Sequence, residues 1–383
     1  MSKPTPSLEV RVHPEISAVP REAWNALDGV AEAPFVSWEM LDTMERTGCV
    51  GEGTGWSPAH LTFHEDGELL GGAPAYVKDN SEGEFVFDYA WANALQRAGG
   101  HYYPKLLVAA PFTPATGSRI LCRRAEDRPR LASALVETLR ALVKRMGLSS
   151  AHVLFPPASE AGLLAERGLA QRYGVQFQWH NKGYSTWDDF LSSFDSKRRG
   201  MIRRERRAME KQGITIETLR GSDITPPVID KMYSFYLSTV QKFSWGRQYL
   251  NRAFFEESAI SMSGKVEIVV AREAGKMIAG AWNLLGPTAL FGRYWGATVD
   301  RPFLHFNVCY YHSVEEAIVR KLGRFEPGAG GSHKRSRGFA PTITHSVHHL
   351  AHPGLDRAVR EHLAHERAAI EEHVAKGGDD EDE

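Results

Sequence analysis

Apolar positions along this chain follow two periods. Leu131, Leu135, Leu139, Leu142, Val143 and Met146 return at steps of three or four residues, which predicts a helix with one buried face. Ile229, Met232, Tyr233, Tyr236 and Val240 predict a second helix. Val308, Tyr311, Val314 or Glu315, Ile318 and Leu322 predict a third, and Leu355, Val359, Leu363, Ile370 and Val374 a C-terminal packing helix. Shorter helices are predicted over Pro20–Leu27 and Trp38–Thr47, the latter with Met40, Leu41 and Met44 on one face. Elsewhere the period is two. PAHLTFHEDGELLGGAPAYVK reads as two strands joined at Asp66-Gly67, a dipeptide suited to a tight hairpin. VEIVVAR, a Glu-Ala-Gly-Lys turn and MIAGAWNLL form a second hairpin, followed by the strand ALFGRYW. Leu8–Val12, Phe85–Tyr89 and His152–Phe155 complete the predicted strands, and Ala109–Ile120 reads as an irregular loop.

The two hairpins carry similar sequences about two hundred residues apart, ELLGGAPAY near Gly72 and KMIAGAWNL near Gly280. Both halves keep the order helix, hairpin, strand, helix, strand. Repetition of a whole supersecondary unit predicts two copies of one α+β domain. We place them at residues 1–185 and 186–376, followed by an acidic tail at 377–383. A chain of 383 residues is long for a single hydrophobic core, which points the same way.

Composition narrows the class. Hydrophobic residues make up 42% and charged residues 24%, the balance of a globular protein. The closing DDEDE has the character of a disordered solubilising end; without its five charges the 47 acidic residues become 42 against 46 basic ones. No apolar run approaches the length of a membrane span, and no charged-then-apolar segment opens the chain. Cys49, Cys122 and Cys309 are odd in number and far apart, unlike a disulfide framework. The expected location is the cytoplasm, and no metal site is expected.

Charge is concentrated in two places. SKRRGMIRRERRAMEK sets Lys197, Arg198, Arg199, Arg203, Arg204, Arg206, Arg207 and Lys211 against Glu205 and Glu210, with Met201/Ala208 and Ile202/Met209 forming an apolar stripe. Such a helix either lies solvated at the surface or presents arginines to phosphate. GRFEPGAGGSHKRSRG then brings His333, Lys334, Arg335 and Arg337 directly after a Gly-rich turn. GAGG at 328–331 lacks the Gly-Lys-Ser/Thr of a phosphate-binding loop and reads as a turn. His345, His348, His349 and His352 have no Cys or acidic companion, and HSVHHL alternates like a strand, so they are read as core or surface histidines.

Several segments together resemble the FemAB-like predicted N-acyltransferases, a branch of the GNAT superfamily described as acting in peptidoglycan biosynthesis or recognition. They are TGWSPAHL, FVFDYAWA, YYPKLLVAAPFTPATGSRIL, SKRRGMIRRERR, FGRYWG, LHFNVCYY and FEPGAGGSHKRSRGF, spread over most of residues 35–370. The resemblance implies tandem GNAT-like domains and transfer of an acyl or aminoacyl group to an amine. It implies an activated donor as co-substrate, aminoacyl-tRNA or acyl-CoA, with no tightly bound cofactor. GSHKRSRGF is similar to the terminal Phe-Lys-x-x-Phe-Gly-like motif of Fem-type enzymes, with His333 where those have Phe. This implies that Lys334 stabilises the oxyanion or holds the donor's phosphate. The basic helix, similar to one in Fem-type ligases, implies a tRNA or nucleotide contact through Lys197, Arg198, Arg199, Arg203 and Arg204. Arg293, His333 and Arg337 join the donor-binding set.

Acyl transfer to an amine also needs a proton acceptor. Glu326, placed after a strand and before the Gly-rich turn, and His305, at the start of a helix, are the candidates; Glu326 also reads as a partner for Arg293 or Lys334. Tyr294 and Tyr311 could protonate the leaving group or belong to the core. No Ser or Cys lies in a nucleophile-elbow context, which favours direct attack. Neither VDRPFLHFN, without glycine, nor TPATGSR, with Gly117 alone, supplies the glycine-rich loop that cradles a CoA pyrophosphate. Two rival readings stand: an acetyl-CoA-dependent small-molecule N-acetyltransferase, and a non-catalytic module binding peptidoglycan fragments or RNA. A mechanism in which Lys334 and the arginines near position 200 hold one donor together requires them to face one hollow.

Overall fold

The computed structural model describes residues 8–242 and 247–376, so the acidic tail lies outside the described residues. The chain forms two compact units. One takes residues up to Val175 together with the segment from Ile343 onward; the other runs from Gln176 to Thr342. The boundary predicted after residue 185 therefore shifts, and the C-terminal helix Pro353–Ala375 belongs to the first unit. The reason is packing. Leu355, Val359 and Leu363 close a core with Trp91, Leu95 and Tyr102, which only the first unit supplies.

In the first unit the predicted hairpin forms as His60–Glu65 and Glu68–Ala73, extended by Glu9–His13 on one side and Leu121–Cys122 on the other. Pro74 has no N–H to donate and divides the second arm. Beyond it, Ala75–Lys78 pairs antiparallel with Lys105–Val108, which runs parallel to Ser150–Leu154. The helix Arg128–Met146 joins these parallel strands and buries Leu131, Leu135, Leu139, Leu142 and Val143 beneath them. Phe85–Tyr89 is not a strand. Its alternation ends in an irregular segment, and the helix Tyr89–Arg97 starts there to bury Trp91 and Leu95.

The second unit repeats the plan more regularly. Ile214–Arg220, Val266–Glu273, Lys276–Leu285 and Ala289–Ala297 form an antiparallel series. The chain then crosses over through the helical stretch Leu304–Val319 and returns as Arg324–Glu326, parallel to the strand Ala289–Ala297. The helix Pro226–Val240 packs on this sheet so closely that a Cβ on Gly296 would lie 1.8 Å from the Phe235 carbonyl oxygen. Only glycine fits there. The crossover helix also departs from a single 3.6-residue period. It widens to a π-turn over Asn307–Tyr311, so both Tyr310 and Tyr311 are buried where a regular period assigns only Tyr311 to the core.

Candidate functional site

In the second unit the parallel pair is short. Ala289, Leu290 and Phe291 face Arg324, Phe325 and Glu326, and there the pairing ends. Pro327 cannot extend the ladder, and Gly328, Gly330 and Gly331 turn the backbone through left-handed conformations (φ 93°, 74° and 87°). Close by, the register between Trp282–Tyr294 and Asn283–Gly292 passes over Arg293, a bulge that re-aims the side chains after it.

The Gly-rich return is tied down by Lys334, which is 3% exposed. Its Nζ donates to the carbonyls of Gly328, Ala329 and Gly330 at 2.8, 3.3 and 2.5 Å. An ammonium has three protons, and all three are committed to the turn. Burial pushes this amine down to about 8, with no carboxylate beside it. Lys334 therefore organises the loop, and the oxyanion role implied by resemblance has no proton left to serve it.

Around this turn the structure gathers a ring cluster. His305 packs at 4.7 Å from Trp295, 5.1 Å from Tyr310 and 6.0 Å from His333. The Tyr310 hydroxyl lies 3.0 Å from His333 Nε2. Burial, reinforced by His333, Lys334 and Arg337, drives His305 down to about 3, so it is a neutral imidazole and a weak base at neutral pH. Partial desolvation also lowers His333, whose side chain is exposed at the edge of the cluster.

Arg337, placed in the donor-binding set by sequence, is engaged inside the protein. Its guanidinium donates to Glu205 at 3.0 and 2.7 Å and to the His333 carbonyl at 2.7 Å, and stacks 3.5 Å from the Phe306 ring. Glu205, 2% exposed, also accepts from the Tyr311 hydroxyl. The basic helix, observed as Ser196–Lys211 and capped by Asp195, thus meets the turn through the face that buries Ile202, Glu205 and Met209.

The other cations of this helix divide. Arg198 lies 3.7 Å from Asp195, Arg199 donates to the Phe194 carbonyl, and Arg206 pairs with Glu315 at 2.6 Å over the Trp187 ring. Lys197 is exposed near Asp195. Arg203, Arg204, Arg207 and Lys211 are exposed and have no side-chain partner among the described residues. By the helical repeat these four lie opposite the buried face. The expected convergence on a hollow shared with Lys334 does not occur, because Glu205 turns toward Arg337 and the remaining cations turn outward.

Three more candidates lie apart from the ring cluster. Glu326 is 3% exposed with Oε1 2.9 Å from Arg324 Nε, an ion pair too poorly aligned to be a hydrogen bond. Glu326 thus has Arg324 as an ion-pair partner. Tyr294 packs among Tyr236, Phe255 and Trp282, and the Arg293 guanidinium lies 5.4 Å from the Tyr294 ring.

Sequence reasoning missed a buried polar cluster in the first unit. Lys105, fully buried, donates to Ser81, Glu84 and Asp88 at 2.8, 2.8 and 2.6 Å. Asp88 also accepts from Tyr102 at 2.7 Å. Burial raises Glu84 to about 7 despite the lysine. Beneath them His152 and His348 meet Nδ1 to Nδ1 at 2.7 Å, both held neutral by burial. The signal lay in FVFDY and YYPK, where charged residues interrupt apolar runs. Of the other clustered histidines, His345 meets Tyr173 edge to face, and His352 accepts the Leu355 N–H at the start of the C-terminal helix.

Comparison with known proteins places this geometry. The model of the FemAB-like family, described as peptidoglycan biosynthesis/recognition, matches residues 15–381. The fold is similar to FemX (10% identity, TM-score 0.53, covering 92% of this chain and 100% of that one). It is also similar to L-PGS from Bacillus licheniformis (9%, 0.50, 84% and 95%). A third is a conserved protein of unknown function from Bacteroides thetaiotaomicron (9%, 0.51, 89% and 99%). No curated protein matches this chain in sequence. The α+β architecture in two units expected from the sequence is the fold of this chain, similar to that of FemX. Among the described residues, no helix is long and apolar enough to cross a membrane.

Proposed function

The chain belongs to the FemAB-like family, and from that membership we propose that it transfers an aminoacyl group from aminoacyl-tRNA to an amine of a peptidoglycan precursor. The observation that carries the choice of donor is the outward row of Arg203, Arg204, Arg207 and Lys211. Unpaired arginines on one exposed face suit a long phosphate backbone, which contributes affinity without base reading. The loop Thr298–Phe303 supports the same choice. It has no glycine, and the backbone cradle expected for a CoA pyrophosphate needs close approach of N–H groups.

In this reading the acceptor nitrogen forms the new C–N bond as the donor's ester C–O bond breaks. The proton leaving nitrogen passes through His333 to the departing hydroxyl. His333 suits the task better than His305, being exposed to an incoming substrate, neutral and oriented by the Tyr310 hydroxyl. The cytoplasm, where charged tRNA is found, is the proposed place of reaction.

The test offers purified protein labelled aminoacyl-tRNA or labelled acetyl-CoA, each with a panel of amines including peptidoglycan precursors. Label moving only from tRNA supports the proposal. Movement only from acetyl-CoA favours the small-molecule acetyltransferase, and tight tRNA binding without transfer favours a binding module. Replacing Arg203, Arg204 and Arg207 by Ala should raise KM for the tRNA and leave kcat nearly unchanged. It should also flatten the salt dependence of binding by roughly one unit of slope per cation removed.

A further inference from the structure

At the opposite end of the second unit's sheet from Gly296 lies a cleft of about 550 Å³, within the size range of small-molecule sites. Its walls come from strand ends. Arg220 closes the strand Ile214–Arg220, Glu267 faces it across the ladder, and Arg320 reaches in from the turn after the crossover helix. We propose that this cleft binds a small oxyanion, a phosphate or carboxylate group, between Arg220 and Arg320.

The argument rests on how the charges are held. Glu267 is 3% exposed and accepts from both arginines: Arg220 Nε at 2.8 Å, and Arg320 Nη1 at 2.8 and 3.0 Å. One buried carboxylate therefore fixes two guanidiniums side by side. Arg220 Nη2 also donates to Glu316. These contacts consume only a minority of the guanidinium N–H donors. The side chains of Arg220 and Arg320 remain 43% and 21% exposed, so the unused donors are open to solvent. Ser222 and Ser263, both exposed, line the same cleft, and their hydroxyls have no hydrogen-bond partner among the described residues. The carboxylates at these guanidiniums are Glu267, whose two oxygens accept from the arginines, and Glu316, which accepts from Arg220. A planar or tetrahedral oxyanion matches paired guanidiniums through bidentate hydrogen bonds. This inference is independent of the acyl-transfer reading.

The test titrates the full-length protein with sodium phosphate or sodium citrate against sodium chloride at matched ionic strength, reading Tm and calorimetric binding. The expected result is saturable binding of phosphate, citrate or both, with a higher Tm than in chloride; the stronger arm identifies the anion class. Arg320→Gln should weaken binding roughly tenfold to a hundredfold, the loss expected for charge-assisted hydrogen bonds. Because that variant leaves Glu267 short of a partner, Ser263→Asp serves as the second variant. It sets a negative charge on an exposed lip, and should abolish anion binding while leaving Tm in chloride unchanged. Arg272→Gln, altering an arginine paired with Glu217 outside the cleft, should bind as the parent does. No binding beyond the chloride control, or binding undiminished in both Arg320→Gln and Ser263→Asp, overturns the proposal.

Discussion

The pair formed by Glu205 and Arg337 allows the sharpest test of how the second unit is built. The perturbation is Arg337→Met, Glu205→Leu and the double variant. Side-chain exposures of 8% and 3% put both charges inside the protein, with two hydrogen bonds between them and a third from Tyr311. Removing one partner strands the other charge in a low-dielectric site, at a cost of about 3–5 kcal/mol. Methionine keeps part of the packing on Phe306 but not the cation–π attraction, adding on the order of 1 kcal/mol to the Arg337 change. The double variant removes both charges and leaves two apolar side chains face to face, so it should lose clearly less than the sum of the single changes. Urea unfolding of all four proteins gives the coupling energy, expected at about 2–3 kcal/mol. Single variants each losing under about 1 kcal/mol, or losses that simply add, would refute the assignment of Arg337 as a structural tie. Arg337 would then return to the donor-binding set.

Further outcomes follow from the same geometry. Gly296→Ala should prevent stable folding of the second unit, since its Cβ would meet backbone rather than a side chain that can move; soluble yield and Tm check this. Burial holds folded His305 at about 3 against 6.5 for the free side chain. Its contribution is complete above pH 6.5 and is lost as pH falls toward 3, up to about 5 kcal/mol, and His305→Phe should flatten that part of the stability–pH curve. Glu84 acts in the opposite sense. Burial raises it from 4.5 to about 7, so its contribution is complete below pH 4.5 and is lost as pH rises through 7, by up to about 3 kcal/mol. The windows overlap, so each slope must be read as a difference between parent and variant, with Glu84→Gln as the second variant. His333→Asn should depress acyl transfer at every pH while leaving Tm within a few degrees of the parent.

Periodicity made much of this fold legible, and the failures share a cause. The long helices, both hairpins and the repeat were written in apolar spacing, because burial of a face is a local property of sequence. The π-turn at Asn307–Tyr311 was not, since an added residue in one helical turn changes the phase without changing composition. The positions of charges were legible but their partners were not. Lys334 is satisfied by three carbonyls, groups that every residue carries and no sequence distinguishes. Glu205 offered a better clue. It shares a helix face with Ile202 and Met209, so its phase marks it as buried even though the surrounding run looks like a solvated basic surface. Lys105 gives the same clue in a strand, preceding Leu106, Leu107 and Val108, all fully buried. A charge written at an apolar phase must bring its counter-charge inside or lose several kcal/mol, so such positions predict buried pairs. Arg337 and Glu205, and Lys105 with Glu84 and Asp88, are those pairs. The cations left over at the polar phase, Arg203, Arg204, Arg207 and Lys211, are the ones free to meet a partner from outside.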